Sequence, residues 1–341
     1  MAAARRKHKV LVLCDSAGTP PADQDFSREL KTEDWAAEAH VIDALKRLGH
    51  EVRMLGVYED PSLIIDEVKA HPPDVVFNLT EHFNDRSAHD RNVAGLLEML
   101  DVCHTGSGPI GLTLCKNKGM AKEILAYHRI RVPDAAVFPP GSAVKRPKRL
   151  TFPLFIKPVN EEASYGISQD SFVENDQAFE ERVRFIQERM NQEALAEEYI
   201  DGRELYVSVM GNRKLQVFPI REVIFAEVPE GRPRFSTFKA KWDDAYRKRW
   251  GIQNIFAEPL PDGMAQRIAR ICKKVYRVLR IRGYGRIDLR VTPQEEIVIL
   301  EANPNPNLDR DDEFAQSAMK AGLSYEHLIQ RILRLALSDR C

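Results

Sequence analysis

The chain has 341 residues, enough for more than one domain and a sizeable buried core. Its 50 Lys and Arg against 51 Asp and Glu leave a formal net charge of −1, so no global field draws it to nucleic acid or to an anionic membrane. The five cysteines are scattered without a CxxC pair, which argues against a zinc site or a disulfide framework and for a reducing cytoplasm.

The opening MAAARRKHKVLVLCDSAG is basic, but its apolar run is too short for a signal-peptide core. No stretch is long and apolar enough to span a bilayer. KVLVLC reads as a first strand. Glu33 to Leu48 reads as a helix with Ala37, Val41, Ala44, Leu45 and Leu48 on one face and Gly49 as its stop. EVRMLGV, a helix from Pro61 to Ala70, DVVFNL, a helix from Arg91 to Leu100, and the short strand and turn DVCHTGSG follow. Strands separated by helices predict a doubly wound parallel α/β layer, a pattern that sets the class and not the function.

Asn117 to His128 reads as a further helix with Asn117 as its cap, ending before Pro133. VFPPGSAVKRPKR is a basic, Pro-rich connection without interleaved aromatics, which favours a solvated linker over a nucleic-acid patch. FPLFIKP, the loop VNEEASYGIS, a helix from Asp176 to Met190 and the strand ALAEEYI make a β–loop–α–β unit over Thr151 to Ile200. Strands ELYVSVMG and KLQVFPIREVIF come next. A helix carrying Met264, Ile268, Ile271, Val275 and Val278 in register follows, and a closing helix begins after Ser324. No internal repeat is visible.

Between those helices lies a hairpin, YGRIDLRV-TPQEE-IVILEAN. Strand residues of one parity share a face. Ile287, Leu289 and Val291 take one face, and Arg286, Asp288 and Arg290 the other; in the partner strand Val298, Leu300 and Ala302 share one parity and Ile299, Glu301 and Asn303 the other. Antiparallel pairing then brings Asp288, Glu301 and Asn303 together away from the turn. Two carboxylates and an amide oxygen suit a hard divalent cation, or a pair of ions bridged by the carboxylates. A polar face meeting solvent is the other reading. Pro304 and Pro306 favour the metal, because they stiffen the chain just beyond the ligands.

The same residues resemble a family. GYGRIDLRV…IVILEANPNPN looks like the metal-binding end of the ATP-grasp superfamily, specifically D-alanine–D-alanine ligase and its relatives. GLLEML-DVCHTGSGPIGLTLCKNKGMAKEIL resembles that family's Leu-rich helix, Thr-Gly-Ser turn and paired-lysine helix. FIKPVNEEASYGIS resembles its lysine strand and phosphate loop, AEEYIDGREL its adenine hinge, FSTFKAKWDD its lid and AGLSYEHLIQRIL its closing helix. The resemblance implies a pre-ATP-grasp α/β domain over 1–117. A central ATP-grasp subdomain over 118–200 and a C-terminal one over 201–341 would follow.

It further implies roles for single residues. Lys118, Lys157 and Lys241 would hold the phosphates, with Lys157 otherwise a snorkelling strand-end lysine and Lys241 otherwise part of a solvated basic loop or an aromatic-rich RNA patch. Lys122, one turn after Lys118, reads as a solvated helix lysine. Ala163, Ser164 and Gly166 are small enough to let backbone N–H groups approach a phosphate. Glu198 and Ile200 would meet adenine through their main chains with Tyr199 nearby. Glu197 reads equally as adenine-side residue or plain acidic strand edge, and Glu204 would accept the ribose hydroxyls.

The activity implied is ATP-dependent joining of a carboxylate to an amine through an acylphosphate. Mg²⁺, or Mn²⁺ in its place, would sit on Asp288, Glu301 and Asn303. Arg286 would stabilise the oxyanion, or else pair structurally with Asp288 or Glu301.

Departures fall on the substrate side. Asn307 stands where the family has a glycine, and DRDDEF brings Asp309, Asp311 and Asp312 where a serine would grip a carboxylate. Glu81, in FNLTEHFNDRSAHD, would hold a substrate ammonium or simply meet solvent. These differences argue against D-alanine and for an amine-bearing or cationic second substrate. Small-molecule acid and amine partners and a homodimer complete the expectation. A nucleotide-binding regulatory or scaffold protein of the same fold, without ligation, is the alternative.

Overall fold

Lys9–Asp15 (β1) lies between Glu51–Val57 (β2) and Val75–Asn78 (β3), all parallel, in a computed structural model that describes residues 6–161, 164–229 and 232–338. Ala36–Arg47 (α1) covers one face through Val41, Ala44 and Leu45. Ser62–Ala70 (α2) and Asp90–Met99 (α3) cover the other through Ile64, Val68, Val93 and Leu97. Both faces are dry, so β1 and β3 are apolar almost throughout, as expected of a parallel sheet. Pro109–Lys116 (α4) follows the Thr-Gly-Ser turn directly; its helix, with Pro at the start, was not anticipated from the sequence. The residues expected as a short strand there make only an isolated bridge, Val76 with His104.

Lys118–Tyr127 (α5) starts on Asn117, whose side chain accepts the Met120 N–H as expected. Ala135–Phe138 (β4), Leu154–Pro158 (β5), Phe172–Val173 (β6) and Ala194–Glu198 (β7) form an antiparallel sheet in the order β4-β7-β5-β6. Asp176–Arg189 (α6) packs Phe179, Val183 and Ile186 on one face of it. Along β5 the alternate residues Phe155 and Lys157 point to the opposite face, beside Glu197 of β7.

The largest sheet runs Ile252–Phe256 (β11), Arg221–Phe225 (β10), Arg203–Met210 (β8), Tyr284–Val291 (β12) and Ile297–Pro304 (β13), with the short Gln216–Val217 (β9) on the end of β8. One face, with Leu205, Val207, Ile287, Leu289 and Ile299, packs on Ile268, Cys272 and Val275 of Met264–Val278 (α9). The other face is a polar ladder, with Glu204 opposite Arg290, Tyr206 opposite Asp288 and Ser208 opposite Arg286. The basic segment expected as a lid holds two short helices, Phe238–Trp242 (α7) and Asp244–Arg249 (α8), capped by Thr237 and Asp243.

Glu313–Lys320 (α10) and Tyr325–Ser338 (α11) return the chain to its beginning. Phe314, Leu328 and Ile332 pack with Val10, Val12, Val75 and Phe77 of the first sheet. Cys14, Cys103 and Cys272 are free thiols; Cys341 lies outside the described residues. Among the described residues no helix is long and apolar enough to cross a membrane.

Candidate active site

The hairpin departs from strict alternation at one point. Asp288 pairs with Glu301 but Leu289 pairs with Ile299, so Leu300 is an extra residue in a β-bulge. The bulge corrects the uniform parity expected for β13. Ile299 belongs to the core face and is buried there, while Glu301 and Asn303 face the cavity opposite Asp288 and Arg286. A one-residue slip reverses facing, so without the bulge either Ile299 would leave the core or Glu301 would enter it.

Asp288 accepts from Arg286 Nε at 2.8 Å and Arg286 Nη2 at 2.9 Å, and from the Asn303 amide at 2.9 Å. Burial, together with the nearby Glu301 charge, pushes the Asp288 carboxyl up to about 6 against the pull of Arg286. Glu301 is part-buried; desolvation opposes its charge, but Lys118 (3.9 Å from it), Lys157, Lys241 and Arg286 outweigh that and hold its carboxyl down at about 2. Arg286 reaches on to Glu313 at 3.3 Å and lies 4.8 Å over the Tyr206 ring. The structural pairing weighed for Arg286 is therefore present, with Asp288 and Glu313.

Among the described residues no three His, Cys, Asp or Glu side chains gather into a metal site. The hairpin set is two carboxylates and an amide. Its oxygen donors suit a hard cation, which would have to share or displace the Arg286 guanidinium that now occupies both Asp288 oxygens.

Across the cavity, Lys157 and Lys122 share Glu197, at 2.8 and 2.9 Å. This corrects the expectation for Lys122, which is 5% exposed and donates to the Leu300 carbonyl on the bulge at 3.0 Å. Helical spacing put it beside Lys118; it could not reveal that β7 and β13 pack over that face. Burial lowers the pKa of Lys122 against the attraction of Glu197. Burial also opposes the Glu197 charge, but the two ammonium groups prevail and its carboxyl titrates below the ordinary range. Glu197 is thus not a plain strand edge. It orients two lysines and lines the cavity.

That cavity, about 630 Å³, lies between the two antiparallel sheets. Lys157, Ser164, Glu197, Glu198, Tyr199, Ile200, Glu204, Lys241, Asp288 and Glu301 all line it. The Glu198 carboxylate turns aside to Arg131 at 2.8 Å, and its N–H donates to Asp134. Lys118 donates to the Glu161 carbonyl at the base of the loop after β5. Gly166, at φ +74°, is where that loop turns; a Cβ there would lie 2.7 Å from Met190 Cε and 2.8 Å from Pro158 Cγ. Ala163 lies outside the described residues. Arg290, assigned no role from the sequence, also lines the cavity and pairs with Glu204 at 2.6 Å.

A second cavity of about 1280 Å³ shares Tyr206, Ser236 and Lys241 with the first. Glu81, Arg286, Asn303, Asn307, Asp312 and Glu313 line it. Asp311, grouped with these from the sequence, is exposed and lines neither cavity; α10 begins at Glu313 and turns the next two acids inward instead. Asn305, between the two prolines, accepts the Ser107 N–H of the Thr-Gly-Ser turn at 2.7 Å, so the prolines present an amide that docks the first layer onto the hairpin. Glu81, Asn307 and Trp242 lead into a third cavity of about 1680 Å³, lined also by Asp15, Glu38 and Asp309.

Two antiparallel sheets that clasp a cavity edged by lysines and closed by a carboxylate hairpin define an ATP-grasp protein, here preceded by a parallel α/β layer. The family model described as "D-ala D-ala ligase C-terminus" matches residues 115–334. A D-alanine–D-alanine ligase of Gluconobacter oxydans is 30% identical over 87% of this chain and 92% of its own. An uncharacterised protein of Sinorhizobium fredii, y4sG, is 30% identical over 87% of this chain and 86% of its own. The crystal structure of D-alanine–D-alanine ligase from Bacillus anthracis complexed with ATP superposes with a TM-score of 0.75 at 20% identity, covering 98% of both chains. The chain belongs to the D-alanine–D-alanine ligase family.

Proposed function

We propose that this protein is an ATP-dependent ligase that joins a carboxylate to an amine. The observation that carries the reading is the bulged hairpin, which sets Asp288 and Glu301 side by side at the end of a cavity reached by Lys118, Lys157 and Lys241. In this reading the three lysines hold the ATP phosphates, Tyr199 and Ile200 flank the base, and Glu204 faces the sugar. Asp288, Glu301 and Asn303 would hold Mg²⁺ or Mn²⁺, which when bound neutralises charge on the terminal phosphates.

The substrate carboxylate attacks the γ-phosphorus, the bond to ADP breaks, and an acylphosphate forms. The amine nitrogen then attacks the acyl carbon, the carbon–oxygen bond breaks, and phosphate leaves with the electron pair while the nitrogen loses its proton. Arg286, at the wall of the second cavity, donates to the oxyanion of that second step. Chain segments 1–117, 118–200 and 201–341 act as the first layer and the two halves of the clasp.

We further assign an amine-bearing or cationic acceptor rather than D-alanine. Asp312 and Glu313 line the second cavity, and Glu38, Asp15, Glu81 and Asp309 lie together around the third. The acceptor and the acid are small molecules; neither nucleic acid nor membrane takes part, and a cytoplasmic homodimer is the expected form. Phosphate release from Mg-ATP, screened over amino acids and small amines with Glu301→Ala as the blank, tests the reading. Stimulation by a cationic amine supports it. Ordinary turnover on D-alanine alone overturns the acceptor assignment. ATP binding without release under any acceptor would instead favour a regulatory nucleotide-binding protein.

A further inference from the structure

The nucleotide cavity contains a buried cation that neither phosphate nor metal chemistry requires. Arg290 is 3% exposed and stands directly opposite Glu204 in the β8–β12 register. Its guanidinium donates to the Ile200 carbonyl at 2.5 Å, to Glu204 Oε2 at 2.6 Å, and to the Arg234 carbonyl. It also lies 5.3 Å over the Tyr199 ring, whose hydroxyl accepts the Arg234 N–H at 3.0 Å. One side chain therefore joins the hinge, the cavity-wall acid and the root of the lid segment.

The other Glu204 oxygen, Oε1, accepts from the Tyr206 hydroxyl at 3.0 Å and the Ser236 hydroxyl at 3.2 Å. A carboxylate offers about four acceptor sites. Three are taken by protein donors, so the group is fixed in orientation with about one site left for a ligand hydroxyl on the cavity side.

We infer that Arg290 is a positioning residue: by anchoring Glu204 between hinge and lid root, it makes the cavity read a hydroxyl of the nucleotide sugar. This rests on the reading that the cavity takes ATP. A buried carboxylate deprived of its cation loses its charge or its orientation, and either change costs it a directed charge-assisted hydrogen bond. Lysine at this position would keep the charge beside Glu204 but could not span the two carbonyls as a planar fork does.

Calorimetric titration with Mg-ATP and with Mg-2′,3′-dideoxy-ATP provides the test, because it needs no acceptor substrate. The unmodified protein is expected to bind ATP about tenfold more tightly than the dideoxy analogue, the worth of one hydrogen bond to a charged group. Arg290→Met should bring that ratio close to one, and Arg290→Lys should leave it in between. Glu204→Gln should also lower it, with Arg290→Met adding nothing further in the double variant. If Arg290→Met does not fold, the Lys and Gln variants carry the comparison, with melting curves to confirm that they are native. A ratio unchanged in Arg290→Met or Arg290→Lys while ATP binding weakens uniformly overturns the inference, as does a ratio near one in the unmodified protein. Failure of the unmodified protein to bind ATP at all is a separate result, which removes the nucleotide reading itself.

Discussion

At the nucleotide end of the molecule the buried carboxylates sit against cations: Glu197 between Lys122 and Lys157, Glu204 against Arg290, and Asp288 against Arg286. At the far end, where the third cavity meets β1 and α1, acids face acids. Glu38 is pushed up to about 7 by burial and then by the charges of Asp15, Glu81 and Asp309. Two histidines stand nearby, His82 at 3.5 Å from Asp15 and His40 at 3.6 Å from Asp309. Charges paired inside the protein hold a shape before any ligand arrives, whereas a cluster with an excess of one sign raises the affinity for an incoming opposite charge. The first region has the character of a prebuilt nucleotide holder. Under the proposed function the second would be the place where specificity is set.

Four substitutions would break or sharpen this contrast. Glu301→Ala removes one of the two carboxylates of the hairpin site and should lower acceptor-stimulated phosphate release by about a hundredfold or more; because Lys118, Lys157, Lys241 and Arg286 lose a carboxylate they stabilise, the denaturant midpoint should fall as well. Lys122→Met leaves Glu197 with one cation and the Leu300 carbonyl without its donor. Breaking a buried pair from one side costs about 3 kcal/mol, read as a lower denaturant midpoint at unchanged slope.

Glu38→Gln tests the acidic end through pH. The folded carboxyl titrates near 7 against an ordinary 4.5, so between those values the native state holds a proton that the unfolded chain has lost. Stability then falls as pH rises from about 4.5 to 7 and stays low above it. The glutamine should abolish that slope and stabilise the protein by about 2 kcal/mol at pH 8 while being near neutral at pH 4, measured by urea unfolding. An unchanged slope would place Glu38's charge in water. Smallest of all, Arg184→Ala removes an exposed one-turn pair with Glu180 on α6 and should shift stability by less than about 0.5 kcal/mol. A larger effect would mean that buried and exposed pairs in this molecule are not so different.

Much of this was legible before folding because it is local. Alternating apolar runs and 3.6-residue periodicity reported the parallel layer, α6 and α9, and Asn117 announced its helix by capping chemistry. Strand parity and chemistry singled out the hairpin carboxylates, whereas the lysines and the hinge were singled out by family resemblance. What escaped was non-local or depended on a single backbone irregularity. Lys122 looked solvated because the strands that bury it lie far along the chain. Ile299 and Glu301 share a parity yet face opposite sides, because a bulge at Leu300 has no mark in an apolar run. Asp311 and Asp312 are neighbours, and only the start of α10 decides which turns inward.

The sequence by itself thus determined the classes of element, their order and the chemical kinds of group available for phosphate and metal. Tertiary structure alone decided which charges meet: that Glu197 serves two lysines, that Arg290 grips Glu204, and that acids from the first layer and from the loop after β13 gather around one cavity. The physical reason is range. Hydrogen-bonded periodicity acts over a few residues and is written in neighbours, whereas burial and Coulomb interaction depend on distances that only the packed chain sets.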